Sequence, residues 1–315
     1  MRFFTDWEGP WILNDIAYEL CLAVFNNGEF FERLSQYDDY LMLTGRSSAG
    51  STLKLIAPFL VAAELKRDEI VKISRDLARF VPQAEEAMKF LCEKYEAVVI
   101  STSYEDYLKV TSEMLGVKGH LHGTSFDPEK YEIDERWKKW LIEKVDEIAA
   151  LPEIDPKNPD ERTVRYLDDL FKEMERSPFK KVLEDVKVVD AKEKRRIMES
   201  YGERKVIAIG DSISDVEMLR AARRKGLAVS FNGNGYAVRE ANVIIVSETA
   251  LSEAMIVDLF LSKGFEAVKN YENSEHELLN EVMGKTEIYF EASEDVIEKS
   301  EKMRKRLRGK VGELG

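Results

Sequence analysis

The strongest constraint on this chain is a series of short, continuously apolar segments that alternate with helices and often end in a carboxylate or hydroxyl. AVVIS (97–101), KVIAIGD (205–211), LAVSF (227–231) and NVIIV (242–246) are rich in β-branched residues and do not alternate with polar ones. Such runs are expected of strands buried on both faces of a parallel sheet. VKVVD (186–190) reads as a further strand, leading into the helix KEKRRIMESYG (192–202). Strand and helix then alternate through 246, the βαβ pattern of a doubly wound α/β domain. In open sheets of this kind ligands bind at the carboxyl ends of the strands.

Around that core the chain is mostly helical. MRFFT (1–5) is a short apolar run that stops at Asp6. Helical spacing covers 12–25, with Asn14 or Asp15 as the N-cap, then several segments within 29–80. GRSSAGS (45–51) is a small-residue loop between them. QAEEAMKFLCEKY (83–95) is amphipathic, and YEDYLKVTSEMLG (104–116) closes on Gly116. Residues 126–185 are charged and helical, divided by PEIDPKNPDE (152–161). The last sixty or so residues are helical and very charged, ending in KMRKRLRGK. This spacing predicts a Rossmann-like core over 1–14 and 83–250, a helical cap over 15–82, a helical insert at about 126–185 and a C-terminal helical extension over 251–315.

Composition excludes some functions. The formal net charge is −13, whereas non-specific nucleic-acid binding needs a basic surface, so no nucleic acid is expected as partner. An acidic protein handling an anion needs a metal ion or a few placed cations. Charged residues reach 34%, like the ion-pair-rich surfaces of hyperthermophile proteins. Cys21 and Cys92 stand in apolar helical contexts, as buried free thiols in a reducing compartment do. No apolar stretch spans a bilayer and Asp6 and Glu8 interrupt any leader-like run, so a cytoplasmic protein without membrane insertion is expected. His120 and His122 have the two-apart spacing of a metal pair on a strand, but no Cys or third His stands nearby. The basic stretch 304–310 reads as a solvated helix end.

Four motifs share the carboxyl edge. In FFTDWEGP (3–10) Asp6 follows an apolar run and Glu8 stands two residues on. A carboxylate can attack phosphorus, and a second carboxyl can protonate the leaving oxygen and then activate water. In AVVISTS a hydroxyl can orient a phosphate oxygen: Ser101, with Thr102 as the alternative. IAIGDSISD (207–215) delivers Gly210, Asp211 and, four residues on, Asp215. Both carboxylates suit an oxygen-preferring divalent cation, with Asp6 as the third and Glu8 grouped with them. Lys192, with Lys194 its rival, opens a helix beside this edge and can neutralise Asp6 and a phosphate. Taken singly, each motif also has a bland reading as an acidic turn, a helix cap or a surface lysine.

In this order the four motifs resemble those of the haloacid dehalogenase (HAD) superfamily, most closely its phosphoserine phosphatase-like branch. The resemblance implies an α/β phosphohydrolase using Mg²⁺ and an aspartyl-phosphate intermediate, acting on a small phosphorylated metabolite. The interval from Asp6 to Ser101 holds the helical cap that branch carries. On the same resemblance, Asp15 stands where that branch meets its substrate amine; Arg46 in the 45–51 loop is a candidate clamp for an anion. FTDWEGP, STSYEDYLKVTSEMLG and the charged insert are similar to an archaeal HAD family known as energy-converting hydrogenase subunit R. That name implies association with a membrane hydrogenase, for which the sequence has no segment of its own. The alternative reading is a non-catalytic HAD-fold subunit or regulatory partner of a larger complex; a homodimer and a phosphotransferase chemistry are also compatible with these motifs. The chain departs from the superfamily in carrying Glu8 where Asp is usual, Trp7 between the two carboxylates, Pro10 after Gly9, and an unusually long Ser101–Lys192 interval.

Overall fold

The computed structural model describes residues 1–313. β1 (Arg2–Thr5) opens the chain and is followed by α1 (Ile16–Phe25), α2 (Gly28–Leu43), α3 (Thr52–Ala62), α4 (Arg67–Leu77) and α5 (Ala84–Lys94). Then come β2 (Glu96–Tyr104), α6 (Glu105–Met114) and β3 (Gly119–Thr124), and after them α7 (Glu135–Ala149), α8 (Glu161–Met174), α9 (Lys180–Asp185) and α10 (Ala191–Ser200). The second half alternates: β4 (Val206–Gly210), α11 (Val216–Lys225), β5 (Gly226–Phe231), α12 (Gly235–Glu240) and β6 (Val243–Ser247). The chain ends with α13 (Leu251–Lys263), α14 (Phe265–Lys269), α15 (Leu279–Val282), β7 (Thr286–Tyr289) and α16 (Glu294–Arg308).

Among the described residues the sheet has seven strands in the order β3-β2-β1-β4-β5-β6-β7. All pairs are parallel except β6 with β7. The expected doubly wound α/β class is therefore the observed one. Strand order reverses at β1, which lies between β2 and β4, and this switch point opens a crevice at the carboxyl edge. Every residue of β4 and β6 is buried, which is why those segments read as unbroken apolar runs.

Three expectations change. VKVVD (186–190) is not a strand but an extended segment outside the sheet. Its polar groups go to side chains instead of a ladder: Val189 N–H donates to Thr124 Oγ1 and its carbonyl accepts from Thr102 Oγ1, each at 3.1 Å. The edge strands β3 and β7 were not foreseen, because half-exposed GHLHGT and TEIY lack an apolar run. The last residues are also not uniformly solvated: α13 is buried on almost every side, including Leu251, Met255 and Leu259.

α1, α2 and the start of α3 line the crevice, α5 packs instead against α13, and the 126–185 segment packs onto α2 and α3. α7 lies against α2 and α3, and α9 against α3. Arg33 Nε donates to the Leu151 carbonyl at 2.8 Å, and the Tyr37 and Phe171 rings stack at 5.8 Å. Cap and insert thus pack helix on helix above the same edge of the sheet. Asp15, the N-cap of α1, accepts from Tyr18 N–H at 3.0 Å and so sets where the cap leaves the core. No described helix is long and apolar enough to cross a membrane.

Candidate active site

The neighbouring strands β1 and β4 deliver the central carboxylates. Thr5 pairs with Ile209, and the next residue, Asp6, donates its backbone N–H to the Ile209 carbonyl at 2.9 Å. Asp211 follows β4 directly. Its backbone N–H and that of Ser212 both donate to Asp215 Oδ2, at 3.0 and 3.1 Å, so Asp215 is folded back over the strand end. Two glycines make room. A Cβ on Gly210 would stand 2.5 Å from Asp215 Cβ, and one on Gly9 (φ +99°) would stand 2.1 Å from Asp211 Oδ2. Oxygens of Asp6, Asp211 and Asp215 lie within 4.8 Å of one another, and all three residues are buried. An all-oxygen set of three carboxylates fits a hard divalent cation such as Mg²⁺.

The lysine in this cluster is Lys194, not Lys192. Lys194 is fully buried, and its ammonium lies 2.8 Å from Asp6 Oδ2, 2.7 Å from Asp215 Oδ1 and 3.1 Å from Ser214 Oγ. Those contacts use all three of its N–H donors. Lys192 is exposed and lines a different surface cavity with His122 and Arg196. The cause is helix phase. α10 turns Ala191, Lys194, Ile197 and Met198 inward, and that i, i+3, i+6, i+7 stripe was already present in the sequence.

The remaining motif residues divide. Glu8 lines the same cavity as Asp6, but its Oε1 accepts the Ile16 N–H at 2.8 Å and it stands outside the three-carboxylate cluster. Its place is therefore beside the metal set and not in it. Trp7 points away from both carboxylates into the core, where its Nε1 donates to Thr111 Oγ1 at 2.8 Å, so its bulk does not block the site. Ser101 lines the cavity, its Oγ 2.9 Å from Ser103 Oγ and accepting the Ser103 N–H. Thr102 also reaches the cavity wall, but its hydroxyl donates to Val189 O. Asp15 lines the cavity while capping α1. Arg46 does not belong to this cavity: it pairs with Asp168 at 2.7 Å and ties the cap loop to α8. His120 pairs with Glu96 at 3.2 Å, and His122 meets Tyr201; neither belongs to a metal-ligating cluster among the described residues.

Sequence reasoning missed two groups of cavity residues. Asp38 and Asp39 of α2 face Asp6 from the cap side, and nothing in an isolated acidic pair on a helix marks it out. Arg304 and Arg308 of α16, which read as part of a solvated basic tail, are instead 4% and 7% exposed and line the cavity. Both guanidinium groups donate to Asp211 Oδ2, Arg308 at 3.2 Å. Arg308 also donates to the Leu13 and Asn14 carbonyls, each at 3.1 Å. Their stripe was readable: α16 buries Val296, Ser300, Arg304 and Arg308, four residues apart. Two arginines at the end of that stripe instead suggested solvent.

The cavity measures about 120 Å³ and is bounded by core strand ends, the 50–53 segment of the cap and the two arginines. Gly50 approaches closest: a Cβ there would lie 3.4 Å from both Ser214 Cβ and Thr102 Cγ2. Burial shapes the acids. Asp6 is raised to about 7 by desolvation and then by Asp215, against the pull of Lys194. Glu8 is raised well above the ordinary carboxyl range by desolvation and by Asp15, opposed by the Ile16 N–H and Arg308. For Lys194 desolvation acts downward, yet Asp215 and Asp6 outweigh it and the ammonium is held charged. One cavity thus pairs an acid whose burial favours its protonated form with a carboxyl held beside a fixed cation, a combination suited to acid–base and nucleophilic steps.

The gene product AF1437 from Archaeoglobus fulgidus is similar to this chain at 46% identity, over 100% of this chain and 98% of its own, with a TM-score of 0.89. A HAD family hydrolase from Salmonella enterica serovar Typhi aligns over 74% of this chain and 62% of its own, at 10% identity and a TM-score of 0.45. A phospho-aspartyl intermediate analogue of phosphoserine phosphatase aligns over 77% of this chain and 91% of its own, at 14% identity and a TM-score of 0.48. No family model matches the chain. No curated protein matches it either.

Proposed function

The chain belongs to the same family as gene product AF1437 from Archaeoglobus fulgidus, and from the geometry of its own site we propose that it is a Mg²⁺-dependent phosphohydrolase of HAD type acting on a small phosphomonoester. The observation that carries this reading is the bridge made by Lys194 between Asp6 and Asp215, beside Asp211, in the cavity at the strand ends.

Each residue has a task in that reading. Asp6 attacks phosphorus in line, displacing the substrate oxygen and forming an aspartyl phosphate. Lys194 neutralises Asp6 and the phosphoryl group without moving, because its three donors are already committed. Burial favours the protonated form of Glu8, which gives its proton to the leaving oxygen. The same carboxylate then takes a proton from the water that cleaves the aspartyl phosphate. Ser101 orients a phosphoryl oxygen from the end of β2. Asp6, Asp211 and Asp215 would hold Mg²⁺, which supplies charge neutralisation at the phosphoryl oxygens. Asp15, Asp38 and Asp39 face the leaving group from the cap side and favour a cationic or hydroxyl-bearing one.

The test is turnover of an aryl phosphate with magnesium by the wild type and by Asp6→Asn. Loss of activity in the variant is the expected result. Activity equal to wild type contradicts the assignment of Asp6 as nucleophile.

A further inference from the structure

α16 places two positive charges where a metal-binding carboxylate is needed. Arg304 and Arg308 both contact Asp211 Oδ2. Neither is free to swing away. Arg304 also donates to the Gly312 carbonyl at 3.2 Å and the Asp211 carbonyl at 3.3 Å. Arg308 is fixed by the Leu13 and Asn14 carbonyls. Arginine stays charged at any ordinary pH, so these charges are permanent parts of the site.

Among the groups in direct contact the charges balance before any metal arrives: Asp6, Asp211 and Asp215 face Lys194, Arg304 and Arg308, three against three, while Glu8, Asp15, Asp38 and Asp39 line the cavity outside that cluster. A divalent cation added alone would leave two positive charges in excess within this contacting cluster, where burial makes local imbalance costly. A phosphoryl dianion arriving with it restores neutrality. A site lacking the arginines would be balanced by the metal alone.

We propose that Arg304 and Arg308 make divalent-metal binding at Asp6, Asp211 and Asp215 conditional on the phosphoryl dianion, so that metal and phosphate enter as a pair. This rests on the phosphohydrolase reading above and adds to it the order in which the site fills. It also gives the C-terminal helix a positioning role: its guanidinium groups act through Asp211 on the metal.

The test is calorimetric titration of the full chain with Mg²⁺, with and without saturating inorganic phosphate. In the wild type, phosphate should tighten magnesium binding by on the order of tenfold or more, within the usual range of coupling between sites. In Arg304→Gln, magnesium alone should bind more tightly than in wild type and the phosphate effect should shrink. Arg304→Lys, which keeps the charge, should retain the wild-type coupling. Where Arg304→Gln fails to fold by circular dichroism, Arg308→Gln takes its place in the same titration.

Equal magnesium affinity with and without phosphate in the wild type overturns the inference, as does full coupling in a folded Arg304→Gln. If the same protein still hydrolyses an aryl phosphate, the phosphohydrolase reading stands without it. A wild type that binds no magnesium in either condition, with Asp6→Asn as active as wild type, overturns both.

Discussion

The Lys194 ammonium lies 2.8 Å from Asp6 Oδ2 and has no contact with solvent. Removing it leaves two buried carboxylates, Asp6 and Asp215, facing each other without their shared cation. Lys194→Met should therefore lower kcat by about 10²- to 10³-fold, the usual cost of losing one fixed electrostatic partner of the reacting group. It should also lower unfolding free energy by about 3 kcal/mol, because it breaks a buried charge network from one side. Lys192→Met should stay within a few-fold of wild type. Steady-state kinetics and urea unfolding of both variants check this, and equal losses in the two would contradict the geometry.

Glu8 is expected to serve both halves of the reaction. With nitrophenyl phosphate the leaving group needs no proton, so Glu8→Gln should still release a first-turnover burst of nitrophenolate. Later turnovers should slow by about 10²- to 10⁴-fold, since water then lacks its base. With an alkyl phosphate the burst should vanish as well. Stopped-flow absorbance reads the first case and quenched-flow measurement of the released alcohol the second. A variant with wild-type steady-state rates on both substrates removes Glu8 from the mechanism.

Glu253 sets a pH dependence of stability from α13, behind the candidate site. It is fully buried in α13 and neither of its carboxylate oxygens has a hydrogen-bond partner. Desolvation, then Asp211, raises its pKa well above the ordinary value of 4.5. The folded protein therefore keeps a proton that the unfolded chain gives up, and stability falls as pH rises through that interval. Below pH 4.5 the contribution is whole; toward the raised value it is lost. Glu253→Met should remove this slope and stabilise the protein at pH 8 by about 1–3 kcal/mol, the cost of an unsatisfied buried polar group. Urea midpoints at pH 5 and pH 8 measure it. A wild-type midpoint that rises with pH more steeply than the variant's contradicts the sign.

Much of this site was legible because it is local. Asp211 and Asp215 stand four residues apart after a β-branched strand, with a glycine in front, and Asp6 ends the first apolar run. What failed to read was orientation. Lys192 and Lys194 differ by two residues, and only the buried stripe of α10 separates them. Val186 to Asp190 has strand composition, yet hydroxyls from Thr102 and Thr124 take its backbone bonds. Arg304 and Arg308 come from nearly 300 residues beyond Asp6, and no local pattern announces a contact of that sequence separation. The insert was equally opaque: charged helices carry no mark of which neighbour they cover, and here they rest on α2 and α3.

The most direct test of the whole account is to capture the phosphorylated carboxylate. Wild-type protein mixed with magnesium and substrate, quenched in acid and reduced with borohydride, should carry homoserine at position 6 by peptide mass spectrometry. Turnover in the same sample without reduction at Asp6, or with homoserine at another carboxylate, would contradict the account.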